Sequence, residues 1–185
     1  MYSGDIIFVL HVNYFKDMKK YLKYCLLVWI AVPVWAQQTE VIGPDSHLKV
    51  NVALKQGKPV YSVTYKEKTM LEDSPLGVVT DIGDFSRNMN WIGQKTSRID
   101  KTYTQNKIKK SEIHYQANEL ICTFANADKQ EIDVVFRVSN NDIAFRYVIP
   151  RKEAGSCVVE KEATGFDFPA YTTTFLCPQS DAMIG

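Results

Sequence analysis

The chain has 185 residues, 45% of them hydrophobic and 23% charged, with a formal net charge of +1. Its length suits one domain, or a domain behind a leader, and its composition is that of a globular protein. A charge balance so close to neutral gives no electrostatic grip on nucleic acid or on an anionic membrane surface, so neither is expected as a partner.

Residues 18–36 read MKKYLKYCLLVWIAVPVWA. Lys19, Lys20 and Lys23 form a basic stretch, Cys25 to Val34 an apolar one, and Ala36 is the small residue required before a signal-peptidase cut. The apolar stretch is short against the ~20 residues that a bilayer-spanning helix needs. A cleaved signal peptide over 18–36 is therefore expected, giving an exported, periplasmic protein without a stable membrane anchor. Met18 stands where such a signal begins, so residues 1–17 are expected to be an over-extended start. Cleavage after Ala36 would remove four of the 22 basic and two of the 21 acidic residues, leaving 18 and 19 and a net charge of −1. Cys25 would leave with the leader. The spacing of Cys122, Cys157 and Cys177 matches no zinc pattern, and both one disulfide with a free thiol and three buried thiols stay open.

From Gln37 onward the pattern is alternation, the period of strands. Leu48, Val50, Val52 and Leu54 share one side, with Lys49 and Asn51 between them. A turn is expected over Gln56–Pro59, a strand over Val60–Tyr65 and a second turn over Lys66–Lys68. Pro75 and Gly77 interrupt the next segment. Gly83 and Gly93 are expected to bracket a polar loop holding Trp91. A second β-rich block is expected to start near Tyr103 and to run through Ile113–Tyr115 to Phe124, with residues 125–130 (ANADKQ) as a turn.

The clearest hairpin turns at Asn140–Asn141. It sets Val138 against Ile143, Phe136 against Phe145, Val134 against Tyr147 and Ile132 against Ile149. A slip of one residue would break every apolar pair, so the pattern determines the register. The opposite face carries Asp133, Val135 and Arg137 on one strand and Ala144, Arg146 and Val148 on the other. If that face is covered, its arginines need carboxylate or carbonyl partners; if it is open, they are simply solvated. Both readings predict an all-β, antiparallel sandwich.

Chemical motifs are sparse. The sequence holds no GxSxG, no phosphate-cradling glycine loop, no HExxH and no paired CxxC. His47 and His114 are expected to be structural. Asp81 and Asp84 flank Gly83 without the EF-hand spacing. Trp91, in its expected glycine-flanked loop, is the candidate carbohydrate contact, with a loop anchor as its other reading. No catalytic residue, metal ligand or cofactor is assigned to the chain.

Three segments together resemble the N-terminal domain of glycoside hydrolase family 97: SPLGVV (74–79), IDVVFRVSNNDIAFRYVIP (132–150) and FDFPAYTTTFLCPQSDAMIG (166–185). The stretch HLKVNVALKQGKPVYSVTYKEK (47–68) fits the first hairpin of that domain. The resemblance implies a β-super-sandwich related to the galactose mutarotase-like fold, incomplete at its C-terminal end and lying ahead of a (β/α)8 barrel. In the family, which includes periplasmic α-glucosidases and α-galactosidases, that barrel carries the catalytic carboxylates and most of a calcium site. The family motif has an arginine in each hairpin strand, matched by Arg137 and Arg146, which are implied to be structural tethers in ion pairs. On this resemblance residues 37–185 are expected to be a non-catalytic domain, inactive alone. Its partners would be its own barrel and an α-linked oligosaccharide, and calcium would belong to the full-length parent. The alternative is a free-standing secreted carbohydrate-binding or adhesive β-sandwich.

Overall fold

The computed structural model describes residues 37–105, 112–150 and 156–173. The expected signal peptide at 18–36, the start region 1–17 and Cys177 lie outside the described residues.

The alternating segments form strands. The first sheet is a meander of β1 (Gln38–Ile42), β2 (Leu48–Lys55), β3 (Lys58–Tyr65) and β4 (Lys68–Pro75), in that spatial order and antiparallel throughout. Its turns are tighter than the sequence suggests. Gln56 and Gly57 both lie at positive φ (51° and 74°), as do Lys66 and Glu67 (48° and 63°). Two-residue turns of this hand match the twist of the strands they join, so Lys58 and Lys68 already belong to strands.

The second sheet holds β7 (Asn90–Thr104), β8 (Glu112–Ala125), β9 (Glu131–Val138) and β10 (Ile143–Val148), in the order β10-β9-β8-β7. The β9–β10 register follows the apolar pairing: Ile143 opposes Val138, Phe145 opposes Phe136 and Tyr147 opposes Val134. Ile149 lies just past the end of β10 and packs on the core without joining the ladder. The hydroxyl of Ser139 accepts from the amides of Asn141 and Asp142 (3.2 and 3.1 Å), which closes the turn.

Two expectations fail here, for one reason. Trp91 is not in a loop, and the second block does not begin near Tyr103; both belong to β7, which already starts at Asn90. Trp91 opposes Phe124 on β8, and Gly93 borders a register shift in the ladder where a loop end was expected. The stretch Gln94–Arg98 is exposed and polar on both faces. It is a strand because its backbone pairs with β8, and side-chain alternation carries no sign of that.

The core lies between the two sheets. Val50, Val52, Tyr61 and Val63 of the first sheet meet Leu120, Cys122, Phe124, Val134 and Phe136 of the second, all buried. A small sheet of β11 (Val159–Glu162), β5 (Val78–Thr80) and β6 (Gly83–Asp84), in that order, adds Val78 to the core, and Leu76, Phe85 and Met89 beside it are also buried. Gly77 is required where this unit begins: its φ is +151°, and a Cβ there would sit 2.6 Å from the Cα of Ser86.

Candidate functional site

Two features stand out once the core residues are accounted for: the outer face of the second sheet and the seam beside β4.

Strand alternation sends Phe136, Phe145 and Tyr147 inward and Val135, Arg137, Ala144 and Arg146 outward. Register then places Arg137 opposite Glu119 of β8. The Arg137 Nε donates to Glu119 Oε2 at 2.7 Å, and the Ser97 hydroxyl donates to Glu119 Oε1 at 3.2 Å. The Arg137 hydrogen bond holds the Glu119 carboxyl below its ordinary range against the opposing effect of burial, and Ser97 and the charges of Arg137 and Arg146 add to the lowering. Arg146 is exposed and makes no direct ion pair among the described residues. It borders a shallow hollow of 120 Å³ lined also by Val135, Arg137, Ala144 and Phe145. The two arginines thus differ: one is tied to a carboxylate, and the other reaches that carboxylate only through its field.

The seam is built by the segment after β11, which runs along the edge of β4. The amide of Gly165 donates to Pro75 O (2.9 Å), the amide of Glu72 to Asp167 O (2.8 Å), and the amide of Asp167 to the Ser74 hydroxyl (2.9 Å). The Tyr61 hydroxyl donates to Gly165 O at 3.2 Å. Tyr147 ties the seam to β10: its hydroxyl oxygen accepts from the Gly77 amide at 2.8 Å and lies 2.5 Å from the Thr164 hydroxyl. Burial pushes the Tyr147 phenol upward in pKa, although those two hydrogen bonds lower it. Phe168 and Tyr171 follow, still exposed by 49% and 63%.

The remaining candidates make contacts within the fold. The Trp91 ring meets Phe124 edge to face at 4.9 Å and packs on the core. His47 pairs with Asp45, and His114 with Asp100, which also accepts from Gln116 (3.1, 2.6 and 2.8 Å). Asp84 accepts from the amide and hydroxyl of Ser86 and from Arg87 Nε, while Asp81 accepts from the Val158 amide. Among the described residues no group of three or more His, Cys, Asp or Glu is placed to hold a metal ion such as the calcium that the family resemblance implies for a full-length parent. Cys122 and Cys157 are free thiols, the first fully buried.

Sequence reasoning missed Glu119, Tyr147 and the Phe168–Tyr171 pair as site residues. Glu119 could have been found by counting back across the Asn126–Gln130 turn. The aromatic run FDFPAY was visible only as part of a family resemblance.

Comparison with known proteins fits this architecture. A probable retaining alpha-galactosidase of Streptomyces bingchenggensis is 29% identical over 134 residues, which is 72% of this chain and 20% of that protein. A crystal structure of a beta-arabinopyranosidase is 52% identical, with a TM-score of 0.75, over 80% of this chain and 24% of that one. A glycoside hydrolase family 97 enzyme of Pseudoalteromonas sp. strain K8, in complex with panose, is 24% identical with a TM-score of 0.65, over 71% of this chain and 20% of its own. The chain thus spans about a fifth to a quarter of the length of these relatives. The family model described as glycosyl-hydrolase 97 N-terminal matches residues 41–183, and the chain belongs to that family.

Proposed function

We propose that this chain is the non-catalytic N-terminal sandwich of an exported glycoside hydrolase that acts on galacto-configured pyranosides. The carrying observation is the 52% identity to a beta-arabinopyranosidase over 80% of the chain. A β-arabinopyranoside of the L series has the ring configuration of an α-D-galactopyranoside without its exocyclic CH2OH, so a relative acting on that series would share one stereochemical class with the alpha-galactosidase. Catalytic carboxylates would come from the barrel of the parent. The outer face of the second sheet is the surface offered to that barrel, with the Arg137–Glu119 pair as a fixed element and the exposed Arg146 guanidinium as a fork for a carboxylate or carbonyl. Trp91 is assigned to packing.

The test is kinetic. Alone, the chain is expected to show no turnover of nitrophenyl α-galactopyranoside or β-L-arabinopyranoside. Added to the beta-arabinopyranosidase stripped of its own N-terminal sandwich, it is expected to restore activity, and Arg146→Ala to weaken that rescue. Turnover by the chain alone would overturn the reading, and so would a chain that neither binds nor rescues the stripped enzyme.

A further inference from the structure

Beside β4, at the end of the described chain, lies a hollow of 420 Å³. Its floor is apolar: Val63, Leu71 and Ile143. Its rim is mixed. The exposed Met70, Phe168 and Tyr171 border it, and so do Lys68, Thr69 and Thr172, residues that carry an ammonium group and hydroxyls. We propose that this hollow is a saccharide-binding site, in which a pyranose lays its C–H face on Tyr171 and Phe168 and turns its hydroxyl edge to Lys68 and the threonines.

Three observations carry the proposal. The volume falls within the ~300–1,000 Å³ of small-molecule pockets, which combine apolar walls with a few polar groups. The Tyr171 ring is also held in place although it is 63% exposed. Its hydroxyl donates to Thr69 O at 2.9 Å, and the Lys68 ammonium lies 5.2 Å from its centroid. An aromatic ring fixed before binding loses little freedom when a ligand stacks on it. Finally, part of the β4 edge beside the hollow is already taken. Glu72 N and Pro75 O are already bonded to the Asp167 and Gly165 backbone, and Thr69 O to Tyr171. A ligand that recognises rings and hydroxyls fits this surface better than one that needs backbone pairing.

The inference leans on the proposed function only for the choice of sugar. Amide chemical shifts of the full chain would be followed during titration with melibiose, which ends in an α-galactoside, and with maltose as the gluco-configured comparison. Saturable binding in the millimolar range is expected. Tyr171→Ala should weaken it at least ~10-fold, a loss of about 1.4 kcal/mol. Tyr171→Phe keeps the ring but not its tie to Thr69, and should weaken binding less than the alanine variant does, which covers the case in which that variant fails to fold. Tyr103→Ala, an exposed tyrosine of β7, should bind as the wild type does. Preference for maltose would remove the galacto assignment and leave the site standing. Absence of saturable binding of either sugar up to about 50 mM overturns the site and leaves the proposed function to its own test. Equal binding by wild type and Tyr171→Ala also overturns it, as does self-association that Tyr171→Ala abolishes without any effect of sugar.

Discussion

Raising the pH above 9 should destabilise this protein, and Cys122 is the reason. The Cys122 side chain has no solvent exposure and sits at the centre of the sandwich, opposite Val134. Burial first, and the charge of Asp133 second, push its thiol from an ordinary 9.0 up to about 12. Below pH 9 the thiol is neutral in folded and unfolded chains alike, so nothing is lost. Above it the unfolded chain gives up its proton while the folded one keeps it, and stability falls by up to about 1.4 kcal/mol per pH unit. At pH 10 the accumulated loss is about 1.4 kcal/mol. Urea unfolding at pH 8, 9 and 10 would measure it, with Cys122→Ala as the non-titrating control. The variant should be less stable at pH 8 by about 1–2 kcal/mol, because a core atom is removed, yet it should lack the alkaline loss. Tyr61 and Tyr147 are also shifted upward, but from 10.0, so they add to the fall only as pH approaches 10 and beyond. Parallel losses in wild type and Cys122→Ala between pH 8 and 10 would refute the reasoning.

Other substitutions test the site and its frame. Tyr147→Phe leaves the buried Gly77 amide without its acceptor and should cost about 1–3 kcal/mol in urea unfolding; a neutral result would remove Tyr147 as the tie between β10 and the seam. Glu119 titrates below its ordinary 4.5, chiefly because of Arg137, so its contribution is present above that value and is lost as pH falls below it. Arg137→Gln should therefore destabilise at pH 6, and its deficit should shrink towards pH 3; a constant deficit would assign the arginine to packing. Gly77→Ala should cost about 2–4 kcal/mol, since φ is +151° and the new Cβ meets the Ser86 backbone. Gly93→Ala, with nothing within 4 Å of the added carbon, should stay within about 1 kcal/mol of wild type. Melting temperatures of the two glycine variants decide between these outcomes.

What the sequence disclosed depended on how each strand is held. The β9–β10 register was legible because the apolar side chains of the two strands had to meet, and three of the four expected pairs stand opposite each other in the ladder. The Glu119–Arg137 pair was within reach of the same counting, since Phe124 opposes Ile132 and the ladder runs on unbroken to Asn118 and Val138. By contrast β7 was hidden: from Gln94 to Arg98 it is held by backbone bonds to β8, with polar side chains on both faces. The seam was hidden more deeply. Its ties join residues such as Ser74 and Asp167, 93 positions apart, largely through backbone groups that any sequence supplies.

The outer arginine face and the aromatic seam come from a single physical rule applied to one strand. In β10 the side chains alternate, so Phe145 and Tyr147 turn to the core while Ala144 and Arg146 turn outward. Tyr147 then carries its hydroxyl to Gly77 and Thr164, which fixes the segment leading to Tyr171. Arg146, one residue away, is exposed on the other face beside the Arg137–Glu119 pair. A substitution that shifted β10 by one residue would exchange these roles, burying an arginine and exposing two aromatic rings. It would remove the proposed barrel-facing surface and the proposed saccharide site together. Tyr147→Phe, which loosens the seam without moving the register, should spare rescue of the stripped enzyme while weakening melibiose binding. Loss of both would mean that the two faces are not independent.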